Sequence, residues 1–419
     1  MTSAPGQPSQ AAQRRAKPHA STRGAADRVR RSHAQTRSTL RLALCFLGAS
    51  ALAAAWPGHR WLALHLLLAG GFVTAISAGT LMLTVTWSAA PAPPDRWVAV
   101  QRWCVVLGAA GLAVGRNAGL PVAVVGVSGS VYVLGLLTLG LLLARTIRRG
   151  TERRFDAAVG AYMCAITAGI AGSGLGLTMA LGTPSPSLRG AHVTANLLGL
   201  VGLTIGATLP FFAATVVRAR MAKRTTARRL VVTFGWQVCM VAAGVAALAA
   251  DAASSAAAAL CGYAVGIVAV GVWMPPPTRR QLAWAGPRLV ALWAGCAWWC
   301  TALVATAVDT AAGRTAFGGR WLLVLAISAY GQIVWGSLAY LLPMLRGGGH
   351  ERLSEGFATT RSWPGLLAAN VAGFAMAGSY MPVAAAAIAV WVLDGAARAI
   401  RVGTTRAPRP DEQPPNSEE

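Results

Sequence analysis

The chain has 419 residues, of which 55% are hydrophobic and only 12% charged, with a mean hydropathy of +0.52. A soluble domain carries roughly 25% charged residues, and the apolar runs here pass the roughly 18 residues that mark a spanning helix, which excludes a soluble class. A net charge of +24 would suit a nucleic-acid binder, but the placement of the cations, taken up below, assigns it to membrane topology.

In chain order, residues 1–39 have no apolar core and so make no signal peptide. Rich in Ala, Ser, Arg and Gln, they read as a disordered basic cytoplasmic tail. Apolar runs then predict spans at 40–57, 60–88, 100–116, 121–144, 157–181, 190–217, 229–250, 253–274, 287–308, 320–345, 363–380 and 382–402. Pro57, Pro121, Pro184, Pro186 and Pro382 mark one set of turns, and Pro91 to Pro94 and Pro275 to Pro277 the other. The expected fold is all-α: an integral membrane protein of about twelve transmembrane helices over 40–402, followed by a second disordered cytoplasmic tail at 403–419. All seven cysteines fall in apolar runs and read as small packing residues.

Of the 37 Lys and Arg, only Arg60, Arg116, Arg189, Arg314 and Arg320 lie in one set of alternating loops; the rest lie in the other set and the two tails. Cations beside membrane spans stay on the cytoplasmic side. The expected topology therefore has both termini in the cytoplasm and an even number of spans in the plasma (inner) membrane. The lipid bilayer is the expected partner, and nucleic acid is not one.

A pattern recurs every four helices. The second, sixth and tenth spans carry Gly79-Thr80-Leu81, Ala207-Thr208-Leu209 and Gly336-Ser337-Leu338, with Pro210 and Pro343 soon after in the last two. Small residues crowd these helices and let backbones approach closely. Three units of four helices, each turning its second helix inward, would produce this pattern.

Two histidines lie inside spans: His65 and His192, which precede Thr80 and Thr208 by 15 and 16 residues. At 1.5 Å per residue they share nearly one membrane depth, and imidazoles so placed can bind haem iron or copper. Asn196, one turn from His192, can orient a ligand. The competing reading is a pair of interfacial histidines bonded to loop carbonyls. No histidine occurs on the tenth span, whose central polar residue is Gln332, so an oxygen-reducing site cannot be assembled and no catalytic residue is assigned. Cys296 and Cys300 share one helix face at i, i+4, as soft copper ligands or, more simply, as packing. No Asp or Glu lies at mid-membrane, where ion-coupled transporters usually place one. Asp394 and Arg398 are spaced for an i, i+4 pair.

Three segments carry a resemblance: His65 to Trp87, His192 to Met221 and Gly331 to Gly349. They resemble the membrane domain of actinobacterial copper-oxidase-like proteins, in which such a region precedes a cupredoxin domain. More distantly they resemble the haem–copper oxidase subunit I superfamily. The resemblance implies haem or copper bound through His65 and His192, and a redox partner protein or cupredoxin. This chain departs from the pattern in carrying no cupredoxin domain and no further oxidase histidines. The expected role is thus a haem- or copper-binding accessory or electron-transfer component without oxygen-reducing activity of its own; the alternative is a transporter or permease for a small solute with no bound metal.

Overall fold

A computed structural model describes residues 10–404, with side chains from residue 26 onward. Among the described residues there is no strand, and the helices divide into two compact units, Met1–Val159 and Gly160–Glu419. Among the described residues eleven helices are long and apolar enough to cross a membrane, so the chain is an all-α, multi-pass membrane protein.

The first unit holds α1 (Gln10–Ala54), α2 (Arg60–Trp87), α3 (Asp95–Asn117) and α4 (Val122–Arg149). Here the expected N-terminal tail is corrected, because α1 is already helical from Gln10. Ala, Arg and Gln are strong helix formers, and extending an existing helix avoids the cost of nucleating a new one. Its polar side chains are also occupied. The Gln35 amide donates to the Pro93 carbonyl (2.9 Å) and to Asp95 (2.6 Å), and Arg102 donates to Ser38 at 2.6 Å. Ser32, Thr36 and Thr39 are buried as a result. Helices α3 and α4 pair closely, since a Cβ at Gly135 would lie 2.8 Å from the Val105 amide nitrogen.

The second unit holds α5 (Asp156–Leu181), α6 (Pro186–Val216), α7 (Ala227–Ala249), α8 (Ala253–Trp273), the short α9 (Arg279–Ala285), α10 (Pro287–Ala311), α11 (Arg320–Arg346), α12 (Gly349–Thr359), α13 (Trp363–Ala377) and α14 (Met381–Thr404). The expected span at 363–380 appears as α13, only 15 residues long. Its start is set back inside the bundle, where the Thr360 hydroxyl donates to the Ala339 carbonyl of α11 at 2.6 Å. Helix α12 folds back over this turn, with Gly356 against Pro343. The other end of α13 reaches the start of α11, where Arg320 donates to Ser379 at 2.9 Å. Helix α14 returns to the first end: Arg398 holds Asp394 at 2.9 and 3.0 Å and donates to the Thr359 and Arg361 carbonyls.

The four-helix periodicity is written in the backbone. The second helix of each quartet contains a π-helical segment: Leu66–Phe72 in α2, Thr194–Gly202 in α6 and Val324–Gly331 in α11. Each is then followed by a residue of positive φ, at Ala89, Arg218 and Gly347 (φ 50°, 54° and 71°), spaced 129 positions apart. The third helices end likewise at Gly119, Asp251 and Ser379 (φ 64°, 53° and 66°). Their caps are alike too, with Leu120, Ala252 and Tyr380 amides donating to the carbonyls of Gly115, Ala247 and Ala375, the six-to-one bond of a Schellman motif. Burial follows the same order. In the best apolar window of α6, 94% of residues are buried, against 22% in α5 and 33% in α7, while α2 leads the first unit at 56%.

Candidate functional site

A π turn widens the helix and disturbs the usual i to i−4 ladder, so such segments are frequent at functional sites. Both intramembrane histidines stand at the mouth of one: His65 immediately before Leu66–Phe72, His192 two residues before Thr194–Gly202.

His65 belongs to the first unit. Its Nδ1 lies 2.9 Å from the Trp61 carbonyl one turn back, and its ring stacks on the Trp61 indole with centroids 3.9 Å apart. A carbonyl can only accept, so Nδ1 carries the proton, and the lone pair of the neutral ring is on Nε2.

His192 belongs to the second unit and is more enclosed. Its Nδ1 lies 2.7 Å from the Gly172 carbonyl of α5, which fixes the same tautomer. The ring rests on a glycine face of that helix, where a Cβ at Gly176 would come within 2.8 Å of the imidazole Cε1. Asn196 donates to the His192 carbonyl at 2.9 Å and lies 3.4 Å from Nδ1; its amide also fills the space over Gly172. Asn196 packs beside the ring without a hydrogen bond to it, because in this tautomer Nδ1 and the Asn196 amide nitrogen are both donors. A ring nitrogen tied to a carbonyl, with the other lone pair presented, is the arrangement that metal-ligating histidines adopt.

An imidazole lone pair can ligate haem iron or a copper ion. Pockets for organic groups run to roughly 300 Å³ or more, whereas the two best-formed cavities among the described residues measure about 10 and 20 Å³, and neither is lined by His65 or His192. A copper ion needs only a lone pair and a few ångströms. No group of three or more His, Cys, Asp or Glu is gathered among the described residues, so further ligands would come from elsewhere. Cys296 is buried, and Cys300 Sγ sits 3.8 Å from the Ala264 carbonyl on its way to packing.

Sequence reasoning passed over the aromatic core of the second unit. Tyr263 donates to the Leu198 carbonyl and Tyr330 to the neighbouring Leu197 carbonyl, both at 2.8 Å and both on the π segment of α6. Trp299 lies between the rings, with centroids 4.9 Å from Tyr330 and 6.0 Å from Tyr263. In the first unit, Tyr132 of α4 reaches the Ala69 carbonyl of the α2 π segment at 3.3 Å. The third quartet places Trp391 of α14 against Gly331, at 3.3 Å from a Cβ built there. Tyr132, Tyr263 and Trp391 recur at nearly the repeat spacing, a signal the sequence contained. In comparison with known proteins, no protein-family model matches the chain, and no curated protein does.

Proposed function

We propose that the chain is an inner-membrane protein with both termini in the cytoplasm, acting as a copper-binding accessory or electron-transfer component. His192 supplies one ligand and His65 another of the same kind in its own unit. What carries the reading is the locked tautomer at His192, whose Nδ1 proton sits on the Gly172 carbonyl and leaves the ring's lone pair on Nε2; the Nδ1 of His65 faces the Trp61 carbonyl in the same way. Bound copper would supply one-electron chemistry. The protein's part is to hold the imidazole orientation, through the Gly172 carbonyl for His192, with Asn196 packed beside the ring. The remaining ligands come from a partner such as a cupredoxin, in keeping with the resemblance of the three segments.

The test is metal analysis with an optical spectrum on protein purified from membranes. Copper should co-purify, and His192→Ala should release most of it, because losing one ligand or its orienting shell costs roughly 10–100-fold in affinity. Colourless, metal-free protein would overturn the reading, and a haem absorbance band would replace copper by haem.

A second reading, a transporter for a small solute, draws on the buried carboxamides of Gln237 and Gln332. Neither has a hydrogen-bond partner at either end of its amide. Solute flux in liposomes that survives both histidine substitutions would favour it.

A further inference from the structure

Near the arginine-rich end of the second unit is a cavity of about 20 Å³, walled by Arg288 and Ala291 of α10, Gln332 and Gly336 of α11, Ser362 and Trp391 among others. That space suits a single particle of water or halide size. Its walls are unusual in what they leave unbonded. Gln332 is 1% exposed, and neither its Nε2 nor its Oε1 has a partner. Arg288 is 2% exposed, and its Nε and Nη1 have none. Its Nη2 makes only long contacts, at 3.5 and 3.4 Å, to the Trp284 and Phe357 carbonyls.

The charge of Arg288 is also unanswered. The charged groups facing it are Arg361 and Arg218, both cations. Arg361 spends its Nη2 on the Ala283 carbonyl at 2.8 Å. Asp394, the carboxylate of α14, is held by Arg398. Aromatic faces do lie near: the Arg288 guanidinium is 5.6 Å from the Trp284 ring and 5.2 Å from Phe357, and Arg218 stacks on Trp284 at 3.6 Å. Cation–π contacts at those distances are only partial compensation for a buried charge. The desolvation of a buried, uncompensated guanidinium exceeds what such contacts return, so the aromatic faces leave a deficit. A neutral water would satisfy hydrogen bonds and leave the charge.

We propose that this cavity binds one chloride-sized inorganic anion, held by the Arg288 charge and the Gln332 amide. The site lies wholly within the second unit, and it does not depend on the copper reading.

The experiment compares protein purified in sodium gluconate, whose anion is too large for the cavity, with the same protein titrated with chloride. Thermal unfolding should shift upward saturably with chloride. Bromide-soaked crystals should show an anomalous peak between Arg288 and Gln332. Gln332→Leu keeps the volume, removes both unbonded amide ends and should fold; its half-saturating chloride should rise at least about tenfold, the loss of one hydrogen bond to a charged partner. In Arg288→Met, unfolding should no longer respond to chloride. A chloride response that does not saturate, one left unchanged by Gln332→Leu, or a bromide map empty at this position would each overturn the proposal and leave water as the occupant.

Discussion

Each π segment frees backbone carbonyls from the regular helical ladder, and at two of the three a tyrosine from the fourth helix of the same quartet answers. Tyr263 is completely buried and its hydroxyl sits 2.8 Å from the Leu198 carbonyl. Tyr263→Phe would keep the ring against Trp299 and remove only the donor, leaving a carbonyl unsatisfied where no water reaches. Such hydrogen bonds contribute about 0.5–2 kcal/mol, toward the lower end within membranes. The substitution should therefore lower unfolding stability in detergent by that amount, and Tyr132→Phe, with its longer 3.3 Å bond, by less. Denaturant titration followed by tryptophan fluorescence measures both, and no loss at Tyr263 would mean that another donor takes the carbonyl. At this scale the sequence exposed some residues and hid others. His65 and His192 stand out because imidazoles are rare among apolar residues. A tyrosine within an apolar run looks like any interfacial aromatic, and its partner, a carbonyl freed by a π turn, has no letter of its own.

At the level of elements, the recurring positive-φ caps offer a reciprocal test. An L residue in that region costs about 1–2 kcal/mol that glycine avoids, offset in part by the greater entropy glycine has when unfolded. The first two quartets place Ala89 and Arg218 where the third has Gly347. Ala89→Gly should accordingly stabilise the protein by up to about 1 kcal/mol, and Gly347→Ala, at φ 71° and ψ −163° where only glycine sits comfortably, should destabilise it by at least as much. Opposite signs in thermal unfolding are the expected result; equal signs would mean that positive φ does not govern stability at these positions. The repeat was legible in the Gly-Thr-Leu, Ala-Thr-Leu and Gly-Ser-Leu triplets because close helix packing demands small residues at fixed positions. The π segments were not, since one extra residue in a turn alters neither hydropathy nor propensity. The helical extension of α1 was hidden for the opposite reason: its composition is that of a soluble tail, and it is ordered by polar contacts with the α2–α3 turn that no periodicity announces.

For the whole molecule, the decisive quantity is the number of crossings, because the proposed orientation with both termini inside requires an even one. Eleven helices meet the length and hydropathy of a span, and the twelfth rests on α13. At 1.5 Å per residue its 15 residues reach about 22 Å, short of the roughly 30 Å hydrocarbon core. Its ends nonetheless meet opposite ends of α11, Thr360 at Ala339 and Ser379 at Arg320. The inset start accounts for the missing length, since the turn at Thr360 lies inside the end of α11 and is covered by α12. Short crossings are accommodated by local thinning and by flanking residues reaching to the interface, and Trp363 at one end and Tyr380 at the other are suited to that. In a background with the seven native cysteines replaced, Ser379→Cys should react with a membrane-impermeant maleimide added outside intact cells. A cysteine at His350 or in the C-terminal tail should react only after the membrane is opened. Labelling of all three from the same side would make α13 and α14 a re-entrant hairpin, reduce the crossings to an even ten, and require α14 to give up its place as a span; labelling of Ser379 from outside fixes twelve.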